Sequence, residues 1–188
     1  MKATTEQIKK VNFFSSLTDQ QCANIAEMVE IVECAADEKL LTEGEFGDEM
    51  ILVFRGQVEV TKDFTIRSKD GFEVSQKAII RLETTDPEPA SGPETEATVP
   101  IVRSPAFGLG EFSLVLDKAI RTAHTVATTP VQYGVLTLKD FKQITDKDPA
   151  IAGPVYFEVA KNAVNSLAKA SEDIKNLTQA FFFALLRG

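Results

Sequence analysis

The sequence predicts a mainly β chain with flanking helices: an antiparallel β-roll or jelly-roll barrel, preceded by N-terminal helices and followed by one long C-terminal helix. Three features lead there. After Asp37 the chain breaks into short β-rich runs, "KLLT", "MILVF", "QVEVTKDFTI" and "FEVSQKAIIRL", spaced by Gly44, Gly47, Gly56 and a "KDG" turn. Closely spaced strands with glycine turns fold back on one another as a roll or barrel. Before them "SLTDQQCANIAEMV" has helical spacing, and beyond Pro154 neither Gly nor Pro occurs until Gly188.

The N-terminal helix has its own start signal. Thr18 and Gln21 stand three apart, as a capping box requires, and Cys22, Ile25, Ala26 and Val29 fall on one helical face. Residues 1–147 then read as one domain. Within it, Glu83 to Pro100 carries five carboxylates and four prolines with no Lys or Arg, too little apolar surface to order itself. A mobile acidic insertion is expected over 83–104, between two strands, because the β pattern resumes with "PIVRSPAFG" and "VQYGVLTL".

From 148 to 188 a long helix is expected. Ala163, Leu167, Ala170, Ile174, Leu177 and Phe181 alternate steps of four and three, the spacing of a coiled-coil seam. Such a stripe lies either on its own barrel or on a second copy of the chain, and "FFFALL" is too apolar for a solvated end. A homodimer through this helix is the economical expectation.

Composition excludes several classes of function. With 188 residues and 44% hydrophobic content, the chain suits one domain with a helical appendage. A net charge of -8 argues against a phosphate-backbone footprint, which needs clustered Lys and Arg. "MKATTEQIKK" opens no secretory signal, and the longest apolar run, "AFFFALL", falls far short of the roughly 20 residues of a membrane helix. Cys22 and Cys34 lack metal-ligand spacing and read as reduced thiols, so a cytoplasmic chain without metal or cofactor is expected. A single histidine, His124, is too few for metal-dependent cupin chemistry, and nothing beside it marks a nucleophile. No catalytic residue is therefore assigned, and the chain is not expected to be an enzyme.

The informative stretch is "FGLGEFSLVLDKAIRTAHTV", Phe107 to Val126. A Gly-rich turn lets backbone N–H groups converge, and a short helix starting there favours an anion. Arg121 supplies a forked, permanently charged partner for two phosphate oxygens. Glu111 would repel phosphate unless it bonded a hydroxyl, so it suits a sugar. One guanidinium, one carboxylate and a nest of amides together fit a small ligand with one negative charge and a ribose, such as a cyclic nucleotide monophosphate.

"GEFSLVLDKAIRTA" resembles the phosphate-binding cassette of the cyclic nucleotide-binding domain family, in which Gly-Glu is followed about ten positions later by Arg and a small residue. "FFSSLTDQQ" is similar to the family's N-terminal helical segment, and "LLTEGEFGDEMILVFRGQVEV" to its glycine-punctuated strand run. The resemblance spans roughly Val11 to Ile144. The Glu-to-Arg spacing resembles that of bacterial catabolite activator proteins, which implies a bacterial origin. By resemblance, Glu111 binds the ribose 2′-hydroxyl, Arg121 the cyclic phosphate, and Thr122 a phosphate oxygen or the base. Gly110, Phe112 and Ser113 complete the ligand-binding set within the cassette.

The implied protein is a stand-alone regulatory module that binds cyclic AMP or cyclic GMP and transmits binding to its C-terminal helix and an effector protein. No helix-turn-helix follows that helix, so DNA is not an expected partner. The alternative is an interaction scaffold of the same fold that has lost nucleotide binding. His124 reads as a bystander, Gly47 and Asp48 as a structural turn, and Asn165, Asn176 and Thr178 as solvated helix positions.

Overall fold

The computed structural model describes residues 1–68, 71–85 and 99–186. Two short helices open it, α1 (Thr5–Lys10) and α2 (Asp19–Ala26), joined through a 3-10 turn at Asn12–Phe14. Both start at capping boxes, Thr4 with Gln7 and the expected Thr18 with Gln21, so orphan N–H groups at each helix start find side-chain partners. Cys22, Ile25, Ala26 and Val29 are all buried, as their shared face predicts.

Strands β1 (Glu30–Cys34), β2 (Lys39–Leu41), β3 (Phe46–Gly47), β4 (Glu49–Arg55), β5 (Gln57–Ser68) and β6 (Gly71–Thr84) follow. Then come β7 (Ile101–Ser104), β8 (Phe107–Leu109), β9 (Ala119–Ile120), β10 (His124–Ala127) and β11 (Val131–Thr137). One sheet has the order β1-β11-β4-β8, a second β2-β10-β5-β6-β7, and β3 pairs with β9. Side chains from both large sheets, among them Ile51, Val53, Val58, Phe107 and Ala127, meet in one core cluster, so the sheets pack as a roll. Among the described residues they are not joined into one hydrogen-bonded ring.

The run "MILVF" shows why the sequence folds this way. Its alternate residues Met50, Leu52 and Phe54 pack in the cluster shared with the helices, while Ile51 and Val53 pack between the sheets. A strand covered on both faces reads as a continuous apolar run.

Two features depart from expectation. Among the described strands β6 and β7 pair in parallel, Arg81 beside Ile101 through Thr84 beside Ser104, within an otherwise antiparallel roll. Parallel neighbours cannot be joined by a two-residue hairpin. The expected insertion over 83–104 is also too wide: Glu83 and Thr84 end β6, and Ile101 to Ser104 form β7. Glu83 is buried yet accepts from Gln57 Nε2 at 2.5 Å and Arg103 Nε at 2.9 Å, partners that offset its desolvation and that composition does not reveal. The body of that segment, 86–98, lies outside the described residues.

After β11 the chain turns into α3 (Leu138–Lys147), an element not expected from the sequence. Thr137 Oγ1 caps it by accepting from Asp140 N, and Leu138, Phe141 and Ile144 are buried. The long helix α4 (Ala152–Leu186) follows a 3-10 turn at Pro149–Ile151. Val155 and Val159 anchor it in the core, and Tyr156 meets the ring of Phe141 edge-on at 5.7 Å. Beyond Val159 the apolar stripe is not laid on the chain's own roll: Leu167, Ile174 and Leu177 are 68%, 64% and 70% exposed, and Phe181 to Phe183 are exposed too. No described helix is long and apolar enough to cross a membrane.

Candidate functional site

The Gly-rich segment folds as anticipated from its glycines. β8 ends at Leu109, Gly110 takes a left-handed backbone with φ 74°, and the chain enters a 3-10 turn over Glu111–Leu114. A non-glycine residue is disfavoured at such a φ, so the glycine fixes where the turn begins. Glu111 stands first in the turn, Phe112 packs against the core, and Ser113 is wholly buried.

Arg121 reaches this turn from the other side. It follows β9, whose pairing with β3 places Ile120 opposite Phe46 and Ala119 opposite Gly47. Its backbone is pinned to the neighbouring loop, since Arg121 N donates to Glu45 O at 2.8 Å and Arg121 O accepts from Gly44 N at 2.9 Å. Arg121 thus stands one position past the end of β9. The pinned loop still orients the side chain inward, where Nη1 donates to Ser113 Oγ at 2.9 Å and Nη2 to the Glu49 carbonyl at 2.8 Å.

Two glycines make room for the guanidinium. A Cβ on Gly47 would fall 2.2 Å from Arg121 Nη2, and one on Gly110 2.1 Å from Nη1. Gly47 therefore does more than turn the chain, and this role escapes a reading in which it is a structural turn residue.

Glu111 and Arg121 are only 8% and 6% exposed, and both line one cavity of about 180 Å³. Gly110, Phe112, Ser113 and Thr122 line it as well, so the structure gathers every residue of the expected ligand-binding set. Thr122 is the exposed member, and Leu41, Val60 and Leu109 supply apolar wall. Burial pushes the Glu111 carboxyl above the usual carboxylate range, while its own backbone N–H, the Asn162 amide and the Arg121 charge pull the other way. Desolvation lowers the Arg121 guanidinium, opposed by the charges of Glu49, Asp48 and Glu111. An arginine stays protonated throughout the working range regardless.

The two hydrogen bonds of Arg121 use two of its five N–H donors, and the residue lines the cavity with three left. Chemically, the site offers a fixed positive centre for an anion and a buried carboxylate for hydroxyl donors.

Sequence reasoning passed over two contributors from α4. Asn162 Nδ2 donates to Glu111 Oε1 at 2.5 Å, and Ser166, one helical turn on, lines the cavity. The signal available was their spacing of four on a face that also carries apolar residues. Asn165, Asn176 and Thr178, weighed instead, are exposed.

His124 lies outside this cavity. Among the described residues its ring, Glu43 and Asp63 bring three ligand-type atoms within 4.8 Å of one another. His124 Nδ1 accepts from Glu43 N at 3.0 Å, which assigns the ring proton to Nε2, 3.2 Å from Asp63 Oδ2. A metal-bound imidazole donates through its second nitrogen rather than accepting there, so this cluster does not fit a metal.

No family model and no curated protein sequence matches the chain. Solved structures do match. The N-terminal domain of a transcriptional regulator from Streptomyces coelicolor A3(2) aligns over 87% of this chain and 94% of its own, with 22% identity and a TM-score of 0.60. A cyclic nucleotide-binding domain from Methylobacillus flagellatus aligns over 90% and 79%, with 22% identity and a TM-score of 0.60. The regulatory domain of Toxoplasma gondii PKA, solved with cAMP, aligns over 86% and 48%, with 17% identity and a TM-score of 0.58. At these identities the likeness establishes the fold, and that fold is the one of cyclic nucleotide-binding domains.

Proposed function

We propose that this chain is a regulatory module that binds a cyclic nucleotide monophosphate, cyclic AMP or cyclic GMP, between Glu111 and Arg121. One observation carries the reading: a buried guanidinium and a buried carboxylate line the same cavity beside a glycine-initiated turn. A fold by itself leaves function open, and these side chains are what favour this one.

A buried charge is retained only against a strong partner. Arg121 keeps three donors for a ligand, and a cyclic phosphate offers two exocyclic oxygens to such a fork. Glu111 repels that phosphate but accepts from a sugar hydroxyl, and a ribose 3′,5′-cyclic phosphate places a free 2′-hydroxyl beside the charged group. On this reading Thr122, an exposed residue of the lining, serves a phosphate oxygen or an edge of the base. The neighbour solved with cAMP and the neighbour described as a cyclic nucleotide-binding domain support this choice of ligand.

Transmission runs through α4, because Asn162 bonds Glu111 and Ser166 borders the cavity while the exposed stripe beyond them offers itself to a second copy. A ligand that favours one position of α4 over another shifts what that helix presents to a partner. The test is isothermal titration of the purified chain with cyclic AMP and with cyclic GMP, alongside Arg121→Ala. Loss of a charge-assisted pair is expected to weaken binding about 10- to 100-fold. Absence of saturable heat with either nucleotide, from a chain shown to be folded, would overturn the proposal and favour the scaffold reading.

A further inference from the structure

On the reading just proposed, Glu111 takes a hydroxyl of the ligand's sugar. In the structure this carboxylate already has a donor, and the donor comes from the helix expected to carry the signal. Asn162 stands one turn past Val159, the last residue of α4 that is buried among those described. Its Nδ2 reaches Glu111 Oε1 at 2.5 Å across 51 positions of sequence. Ser166 continues the same helical face and lines the cavity.

The chemistry of the two donors is the same. An amide N–H and a sugar O–H both seek a carboxylate lone pair, and the hydroxyl bond to a carboxylate is short and charge-assisted in just this way. Glu111 lines a cavity of about 180 Å³, and Oε1 of its carboxylate is already held by the Asn162 amide.

We infer that Asn162 is a latch: it holds the start of α4 against the site by standing where a ligand hydroxyl would donate to Glu111, so that hydroxyl and helix compete for one carboxylate. The consequence is a negative coupling. Ligand binding releases α4 at Asn162, and by linkage whatever releases α4 tightens ligand binding. Asn162 is in this sense a positioning residue rather than a ligand contact, and a merely structural role would not make its effect depend on the ligand's hydroxyl.

The experiment is a cycle of two chains and two ligands. Wild type and Asn162→Ala are titrated with cyclic AMP and with 2′-deoxy cyclic AMP, and α4 amides near 155–166 are followed by hydrogen exchange in the ligand-free proteins. The expected result is a gain for cyclic AMP of several-fold to about tenfold in Asn162→Ala, little change for the deoxy analogue, and faster exchange of those amides. Equal gains for both ligands, or weaker binding of cyclic AMP by the variant, would overturn the competition. If neither chain binds any cyclic nucleotide, the proposed ligand falls and with it the competition, while unchanged exchange would separately overturn the latch as a tether of α4.

Discussion

The guanidinium of Arg121 occupies the space that a side chain on residue 47 would need: a Cβ built on Gly47 comes within 2.2 to 2.4 Å of Nη2, Cζ and Nε. Gly47 does not sit in the left-handed region of backbone conformation, so an alanine there meets the arginine head and nothing in the backbone opposes it. The head is the far end of a flexible side chain and is able to move. Gly47→Ala is expected to change unfolding free energy by about 1 kcal/mol or less, and to weaken cyclic AMP binding about tenfold or more by tilting the fork away. Paired titration calorimetry and urea unfolding check this; intact affinity would show that the guanidinium position is not what the ligand reads.

Glu111 sets function against stability. Burial raises its carboxyl above the ordinary value, so the folded chain holds that proton more tightly than the unfolded chain. The stability this group contributes is therefore full below the ordinary carboxylate range and declines as pH rises through the raised value. Glu111→Gln keeps an acceptor for Asn162 and removes the ionisation. The variant is expected to gain in stability over wild type at pH 7 by more than at pH 4.5, and to bind cyclic AMP less tightly. Thermal unfolding at both pH values measures the difference, and an equal offset at each would show that burial of this charge carries no cost.

Ser113 supports the arginine from below. Its side chain is wholly buried and its hydroxyl accepts from Arg121 Nη1 at 2.9 Å. Ser113→Ala removes one partner of the guanidinium while the Glu49 carbonyl remains. A loss of about 1 to 3 kcal/mol of stability is expected from urea denaturation, with a smaller effect on cyclic AMP affinity than Arg121→Ala. An affinity loss as large as that of Arg121→Ala would instead place Ser113 in direct contact with the ligand.

How far the sequence carries this site depends on which part of it is local. Gly110, Glu111 and Ser113 stand within one turn, so their spacing alone brings them together. Arg121 is ten positions from Glu111, and its side of the site follows from the β3–β9 pair, which two residues per strand signal weakly. The roll was readable from glycine-bounded strands and the α2 capping box from Thr18 and Gln21. The parallel β6–β7 pair was not, because it brings Arg103 to a buried Glu83 20 positions away in sequence. Asn162 lies 51 positions from its partner, and only the path of α4 over the roll joins them.

The stripe on α4 now has a definite status: it is apolar, helical in spacing and, from Leu167 on, left uncovered by the rest of the described chain. Steps of four and three from Ala163 to Phe181 place these residues on one seam, the arrangement in which two helices bury a/d positions against each other. A second copy offers an identical seam, so a symmetric dimer covers both at once. Leu167→Glu with Ile174→Glu places two charges on the seam without lowering helix propensity much, since glutamate is a good helix former. Sedimentation velocity of the wild type is expected to give twice the 20.6 kDa of one chain, and the double variant one chain mass with unchanged helical circular dichroism. A wild type that stays at one chain mass at high micromolar concentration would remove the dimer and leave the seam for a different partner protein.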